Sequence, residues 1–276
     1  MTLRLMTLED LNTVLGWAAD EGWNPGLDDA GAFLAADPEG FFVKELRGAP
    51  VAAISVVNHS ADFAFLGLYL CKPEFRGQGH GMDVWRAGLA RSGTRCVGLD
   101  GVPDQQENYA RSGFVRLSRT IRYEGRSAGP SGPDTRPVSP SEALQLIEHD
   151  ARATGVRRNA FASVWFSETP SRQTRMLING SQVTGFATYR RCQIGTKIGP
   201  LYATRATDAA TLLHANPFAA SDPAVFVDVQ DHNPALGTLL EQQGFEPVFE
   251  TARMFTGPPP DARPDRFQAI ATMELG

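Results

Sequence analysis

The residues with the clearest chemical promise form one run, Arg76-Gly77-Gln78-Gly79-His80-Gly81-Met82. It follows the apolar stretch Phe63–Leu70 and opens a helical pattern that carries Met82, Trp85 and Leu89 on one face. Glycines at 77, 79 and 81 leave several backbone N–H groups uncovered just where a helix begins and its dipole is positive. Arg76 adds a cation, so the loop is an anion cradle suited to a pyrophosphate. A dinucleotide fingerprint would run Gly-x-Gly-x-x-Gly with an acidic residue after a second strand. Here the glycines alternate and the loop opens with arginine. A nucleoside triphosphate loop would close on Gly-Lys-Ser or Gly-Lys-Thr, whereas Met82, Asp83 and Val84 follow Gly81.

A second candidate stands downstream in the run from Tyr109 to Gly113-Phe114. The pattern Tyr-x-x-x-Gly-Phe, together with the Arg-Gly-x-Gly-x-Gly loop after an apolar strand, resembles the GNAT superfamily of acyl-CoA-dependent N-acetyltransferases. The resemblance covers residues 1–124. It implies coenzyme A as ligand and acetyl-CoA as co-substrate. It also implies a strand that splays from its neighbour before the loop, so that the backbone of Leu68, Tyr69 and Leu70 contacts the pantetheine and the acetyl carbonyl. Asn108 is a further coenzyme contact in this reading, and Tyr109 is the acid that protonates the departing thiolate. A phenol of reference pKa ~10 gives its proton to a thiolate of ~8.5 at a cost of about 2 kcal/mol.

Three shorter runs, Glu21–Gly26, Phe65–Tyr69 and Leu99–Gln106, resemble a narrower group of two-domain bacterial GNAT proteins. That resemblance places Glu21, Trp23 and Asn24 in the connection lining the acceptor site. It offers Glu21 or Asp100 as a base acting through water on the acceptor amine.

The elements that must position these groups follow an α/β order with a mixed sheet. Thr7 to Asp10 reads as a capping box before the helical spacing Leu11, Val14, Leu15, Ala18. Strands are expected at Phe41–Leu46, Val51–Val57 and Phe63–Leu70, a helix over 81–92, a strand at Cys96–Asp100, a short helix at Gln105–Ser112 and a strand at Phe114–Tyr123. Residues 125–137 are rich in Gly, Pro and Ser and read as a linker. Beyond it the layout recurs: Gly48, Gly67 and Gly113 are matched by Gly180, Gly199 and Gly244 at offsets of 131 or 132 residues. Such register points to an internal duplication, hence two tandem GNAT domains over 1–124 and 138–276.

The second copy departs at the decisive positions. Thr204 to Ala209 contains no glycine, Asp208 would repel a phosphate, and Leu240 stands where the tyrosine should be. The second domain is therefore expected to keep the fold without the coenzyme site, and to cover the acceptor groove. Gly155–Arg158 and Asp150 are candidates to face that groove.

Net charge is −5, which disfavours a nucleic-acid surface and suits a cationic amine, either a small molecule or a peptide. Cys71, Cys96 and Cys192 sit in apolar surroundings and read as buried thiols of a reducing cytoplasm. No signal peptide or membrane-length apolar run is evident, and the five histidines show no metal-ligand spacing. The expected activity is N-acetylation of a primary amine in a ternary complex. The alternative is a silent acyl-CoA-binding sensor, which would need the loop but not Tyr109. With glycines in one loop and none in the other, titration should find one coenzyme molecule per chain. Two sites would overturn the asymmetry.

Overall fold

The computed structural model describes residues 2–127, 129, 135–180 and 182–276. The first half runs β1 (Thr2–Leu5), α1 (Leu8–Asp20), α2 (Asp29–Ala36), β2 (Phe41–Leu46), β3 (Ala49–Asn58), β4 (Phe63–Cys71), α3 (His80–Ser92), β5 (Cys96–Gly101), α4 (Gln106–Arg111) and β6 (Val115–Arg126). The second runs β7 (Thr135–Pro137), α5 (Ala143–Thr154), α6 (Asn159–Trp165), β8 (Arg172–Asn179), β9 (Gln182–Arg191), β10 (Thr196–Ala203), α7 (Ala206–His214), β11 (Ala224–Gln230), α8 (Pro234–Gln242), β12 (Glu246–Phe255) and β13 (Phe267–Ala269).

Local chemistry explains the starts and stops. The Thr7 hydroxyl accepts from the Asp10 N–H at 3.2 Å while the Asp10 carboxylate accepts from the Thr7 N–H at 2.7 Å, closing both arms of the capping box. Leu11, Val14, Leu15 and Ala18 are the buried face of α1. The run Ser139-Pro-Ser-Glu142 also reads as a capping box in the sequence, but α5 starts later, at Ala143. There Glu142 is drawn to Arg136 and accepts from both the N–H and the hydroxyl of Ser139, so Ser139–Glu142 forms a lead-in turn. The flanks of the expected linker are strands: β6 continues through Gly125 and Arg126, and β7 pairs with β8. Residues 128 and 130–134 of that stretch lie outside the described residues. The short strands β1, β7 and β13 have no counterpart in the sequence-based expectation.

All strands join one mixed sheet of order β1-β2-β3-β4-β5-β12-β6-β11-β10-β9-β8-β7, with β13 on β10. The pairs β4·β5 and β10·β11 are parallel. The order holds an exchange. Strand β12 of the second half lies antiparallel to β5 of the first, and β6 lies antiparallel to β11 of the second. Each exchanged strand carries an arginine opposite an aspartate. Arg253 binds Asp100 at 2.9 and 2.6 Å, and Arg122 binds Asp228 at 2.8 and 2.9 Å. All four side chains are buried.

One face of the first half packs α3 and α4 through Val84, Trp85 and Tyr109 against β3–β5. On another core α1 and α2 meet α5 and α6, with Phe33 stacked on Trp165 at 6.1 Å. Helices α7 and α8 cover β9–β11. No helix among the described residues is long and apolar enough to cross a membrane.

Removing one member of a buried ion pair strands the other charge, at about 3–5 kcal/mol. Arg253→Leu should therefore lower the unfolding free energy by that amount in urea titrations. A loss below about 1 kcal/mol would mean that the exchange does not depend on the pair.

Candidate active site

The site begins with a fault in β4. Phe63–Leu66 pair with Cys96–Leu99 of β5, and the pairing stops there. On the other edge the register against β3 slips between Ser55↔Gly67 and Ala53↔Leu70. The extra residue is a bulge, and Leu68 within it has φ of +46°. A bulge bends and twists its strand, so β4 leaves β5 and opens a gap in the sheet. Leu68 and Tyr69 border that gap, and Leu70 follows them along the strand, paired with Ala53.

Two phenols project near the gap from opposite supports. The Tyr69 ring lies 5.2 Å from Trp85, and Trp85 stacks on Tyr109 at 5.5 Å and 17°. Tyr109 leans on Gly101, where a Cβ would come within 2.8 Å of its ring, so only glycine leaves that ring room. Burial raises the pKa of both phenols, and the neighbouring Tyr69 adds to the rise at Tyr109. Both hydroxyls therefore carry their protons at neutral pH.

The glycine loop adjoins this pair. Gly77 and Gly79 have φ of +74° and +86°, and Gly79 caps α3. No heavy atom lies within 4 Å of the place a Cβ would take at either one. That open space at the start of a thirteen-residue helix leaves the loop's N–H groups uncovered for an anion. Gly81 connects loop to gap, since its Cβ position lies 3.0 Å from the Tyr69 hydroxyl. Arg76 donates to the Cys71 carbonyl at 2.9 Å and pairs with Glu21. Gln78 folds back to the Glu74 carbonyl, His80 is buried beside Phe75, and Met82 is exposed. Asn108 is exposed and donates to Gln105.

A cavity of about 60 Å³ occupies the gap, walled by Leu66–Tyr69, Leu99, Asp100 and Tyr109. The expected acceptor residues divide around it. Trp23 and Asp100 line the cavity. Glu21 is engaged with Arg76, and Asn24 bonds both backbone groups of Ile194 at 2.8 and 3.2 Å. Asp100 accepts from Arg253, Thr120 and Thr251. Phe249, Thr251, Met273 and Glu274 complete the wall from the second half. No local pattern marks these four; only the strand exchange and the course of residues 267–276 bring them here.

The equivalent gap in the second half is filled by the chain itself. Strand β10 pairs with β11 only over Thr196–Ile198, and β13 then takes the free edge, with Leu201↔Ala269, Tyr202↔Gln268 and Ala203↔Phe267. Asp208 is paired with Arg205, so its charge is offset. The obstruction there is a strand, more than a repulsion.

A larger cavity of about 600 Å³ lies beside the first, bounded by Phe63, Phe65, Phe255, Val156 and the 259–264 segment. Arg158 is on its wall and binds Asp150 at 2.8 and 2.9 Å. Among the described residues no three His, Cys, Asp or Glu side chains are grouped to hold a metal ion.

Residues 146–267 match the family described as acetyltransferase (GNAT) domain. Over its whole length the chain is 34% identical to holothin acyltransferase of Pseudoalteromonas sp. (strain SANK 73390), covering 94% of that protein. A putative acetyltransferase from Pyrococcus horikoshii superposes with a TM-score of 0.82 at 20% identity, covering 100% of this chain and 95% of that one. A tandem GNAT protein from the clavulanic acid biosynthesis pathway gives 0.63 at 17%, covering 93% and 99%.

A side chain at Gly79 would fill the cradle and resist its positive φ, while touching nothing in the fold. Gly79→Val should abolish acetyl-CoA binding in calorimetry with the circular dichroism spectrum retained. Unchanged affinity in the folded variant would remove the loop from the site.

Proposed function

We propose that this chain, which belongs to the GNAT acyltransferase family, transfers an acetyl group from acetyl-CoA to a primary amine by direct attack in a ternary complex. The observation that carries this reading is that the bulged strand at Leu68 and the phenol of Tyr109 line one cavity, while the open glycine loop meets its wall where Gly81 touches Tyr69. When bound, acetyl-CoA supplies an activated thioester carbonyl and a thiolate leaving group.

Each part of the protein then has a task. The N–H groups at Gly77–Gly81 and the start of α3 hold the pyrophosphate without competing side chains. The backbone at Leu68–Leu70, freed from β5, offers donors to pantetheine and to the carbonyl oxygen as charge develops on it. Trp85 fixes the Tyr109 ring by stacking. Burial keeps Tyr109 protonated at neutral pH, and a thiolate expelled into the same apolar site is made more basic by the same desolvation, so it can take that proton.

The cavity also supports the short acyl group. About 60 Å³ admits roughly four water-sized groups, close to an acetyl and one attacking nitrogen. Residues 1–124 provide the coenzyme site in this reading, and residues 138–276 wall the acceptor side. The full-length similarity to holothin acyltransferase makes holothin the first acceptor to assay. The working partner is a small-molecule amine, and the setting the cytoplasm.

Tyr109→Phe keeps the ring and removes the proton. Turnover at saturating acetyl-CoA should fall about a hundred- to ten-thousand-fold with coenzyme affinity nearly unchanged. A loss below about tenfold would leave Tyr109 a packing role.

A further inference from the structure

We infer that Glu274 is the carboxylate that takes the proton from the acceptor's ammonium, a role resting on the transferase reading above. An alkyl amine of lysine-like pKa, about 10.4, arrives protonated at neutral pH and must lose a proton before it can attack. Two carboxylates line the cavity, Asp100 and Glu274. Asp100 is saturated: both oxygens bind Arg253, and Thr120 and Thr251 donate at 2.8 and 3.3 Å. Protonating it would break a buried ion pair. Glu21 stands outside the cavity with Arg76.

Glu274 differs on each count. It is 4% exposed, and Oε2 accepts from the Thr272 hydroxyl. Among the described residues no Lys, Arg or His nitrogen comes within 4.0 Å of it, and no protein donor reaches Oε1. The cations facing it are Arg122 of β6 and Lys197 of β10. Arg122 is committed to Asp228 and to the Trp23 carbonyl, and Lys197 donates to that same carbonyl at 2.8 Å. The remaining titratable groups lining the cavity are Tyr69 of β4, Tyr109 of α4, and Asp100 neutralised by Arg253 of β12.

The backbone that carries Glu274 is held firmly at the bulge. Its carbonyl oxygen lies against Gly67, where a Cβ would approach to 2.1 Å. His59 Nε2 donates to the Leu275 carbonyl at 3.0 Å, Arg158 donates to the Gly276 carbonyl, and the Gly276 N–H returns to the Thr272 carbonyl at 3.1 Å. The carboxylate is thus fixed beside the strand that borders the reacting carbonyl.

The step balances. Oε1 removes one proton from R–NH₃⁺, leaving R–NH₂. The nitrogen lone pair bonds to the carbonyl carbon, the C–S bond breaks, and sulfur takes the Tyr109 proton. The second proton lost by nitrogen restores the phenol, and Glu274 releases its own proton to water.

The test uses the full chain, with coenzyme release followed across holothin, tyramine and 4-methoxyaniline, the last already neutral at pH 7. Glu274→Gln should lower kcat for tyramine at least tenfold at pH 7 and move the acidic limb of its pH profile up toward the amine's own pKa of ~10. KM for acetyl-CoA should hold, and the rate with 4-methoxyaniline should stay within about threefold of wild type. Glu274→Asp should recover part of the rate and keep the limb. Wild-type release with an unchanged profile in Glu274→Gln, or equal losses for both amines, would overturn the role while leaving the transferase reading intact. No release by wild type with any of the three amines would overturn both. Coenzyme binding and melting temperature of each variant separate these outcomes from misfolding.

Discussion

Two buried arginine–aspartate pairs, one the duplicate of the other, fix the central strands on which everything else is built. Arg122 on β6 reaches Asp228 on β11, and Arg253 on β12 reaches Asp100 on β5. Each pair joins an exchanged strand of one half to a strand of the other. A one-residue slip of either exchanged strand would turn its arginine to the opposite face of the sheet. The aspartate would then be left charged and alone in the core. The pairs therefore select one register, and that register sets Thr251 and Phe249 beside Asp100 at the reaction cavity.

The two copies solve the same backbone problem differently. A strand that leaves its neighbour exposes N–H and C=O groups that must find partners. In the second half β13 supplies them from the chain itself. In the first half the bulge at Leu68 keeps β4 away from β5, and a bound thioester can make the missing contacts. The same segment serves both sites. The Ile270 and Ala271 carbonyls crowd Gly199, and the Glu274 carbonyl crowds Gly67, so one stretch plugs one gap and walls the other. Either glycine replaced by a larger residue would collide with that stretch, which is why both copies retain glycine there.

What could be read in the sequence was local. The capping box at Thr7, the span Phe41–Leu46 and the helix behind Gly79 depend on residues within a few positions of one another, and the structure bears them out. The duplication was visible because turn glycines keep their spacing. The exchange of β6 and β12 was not, since each strand satisfies the same alternation beside either partner. Strand β13 is three residues long, with no periodicity to recognise. Glu274 lies in a short segment with no motif of its own. Its setting arises from Gly67, from Arg158, and from His59, which bonds the adjacent Leu275 across 216 positions. The resemblance places Asn24 at the acceptor, whereas its left-handed backbone and its bonds to Ile194 make it a brace between the halves.

The exchange also sets a timetable for synthesis. Arg253 is 153 residues beyond Asp100, so β5 emerges from the ribosome long before the strand that will cover its edge. At roughly 5–20 residues per second, that edge waits on the order of 10–30 s. During this interval the nascent first half presents an unpaired apolar strand beside a half-built acyl pocket, an invitation to chaperones and to strand-pairing with other chains. The pocket cannot close, and acyl transfer cannot begin, until the second copy has been made.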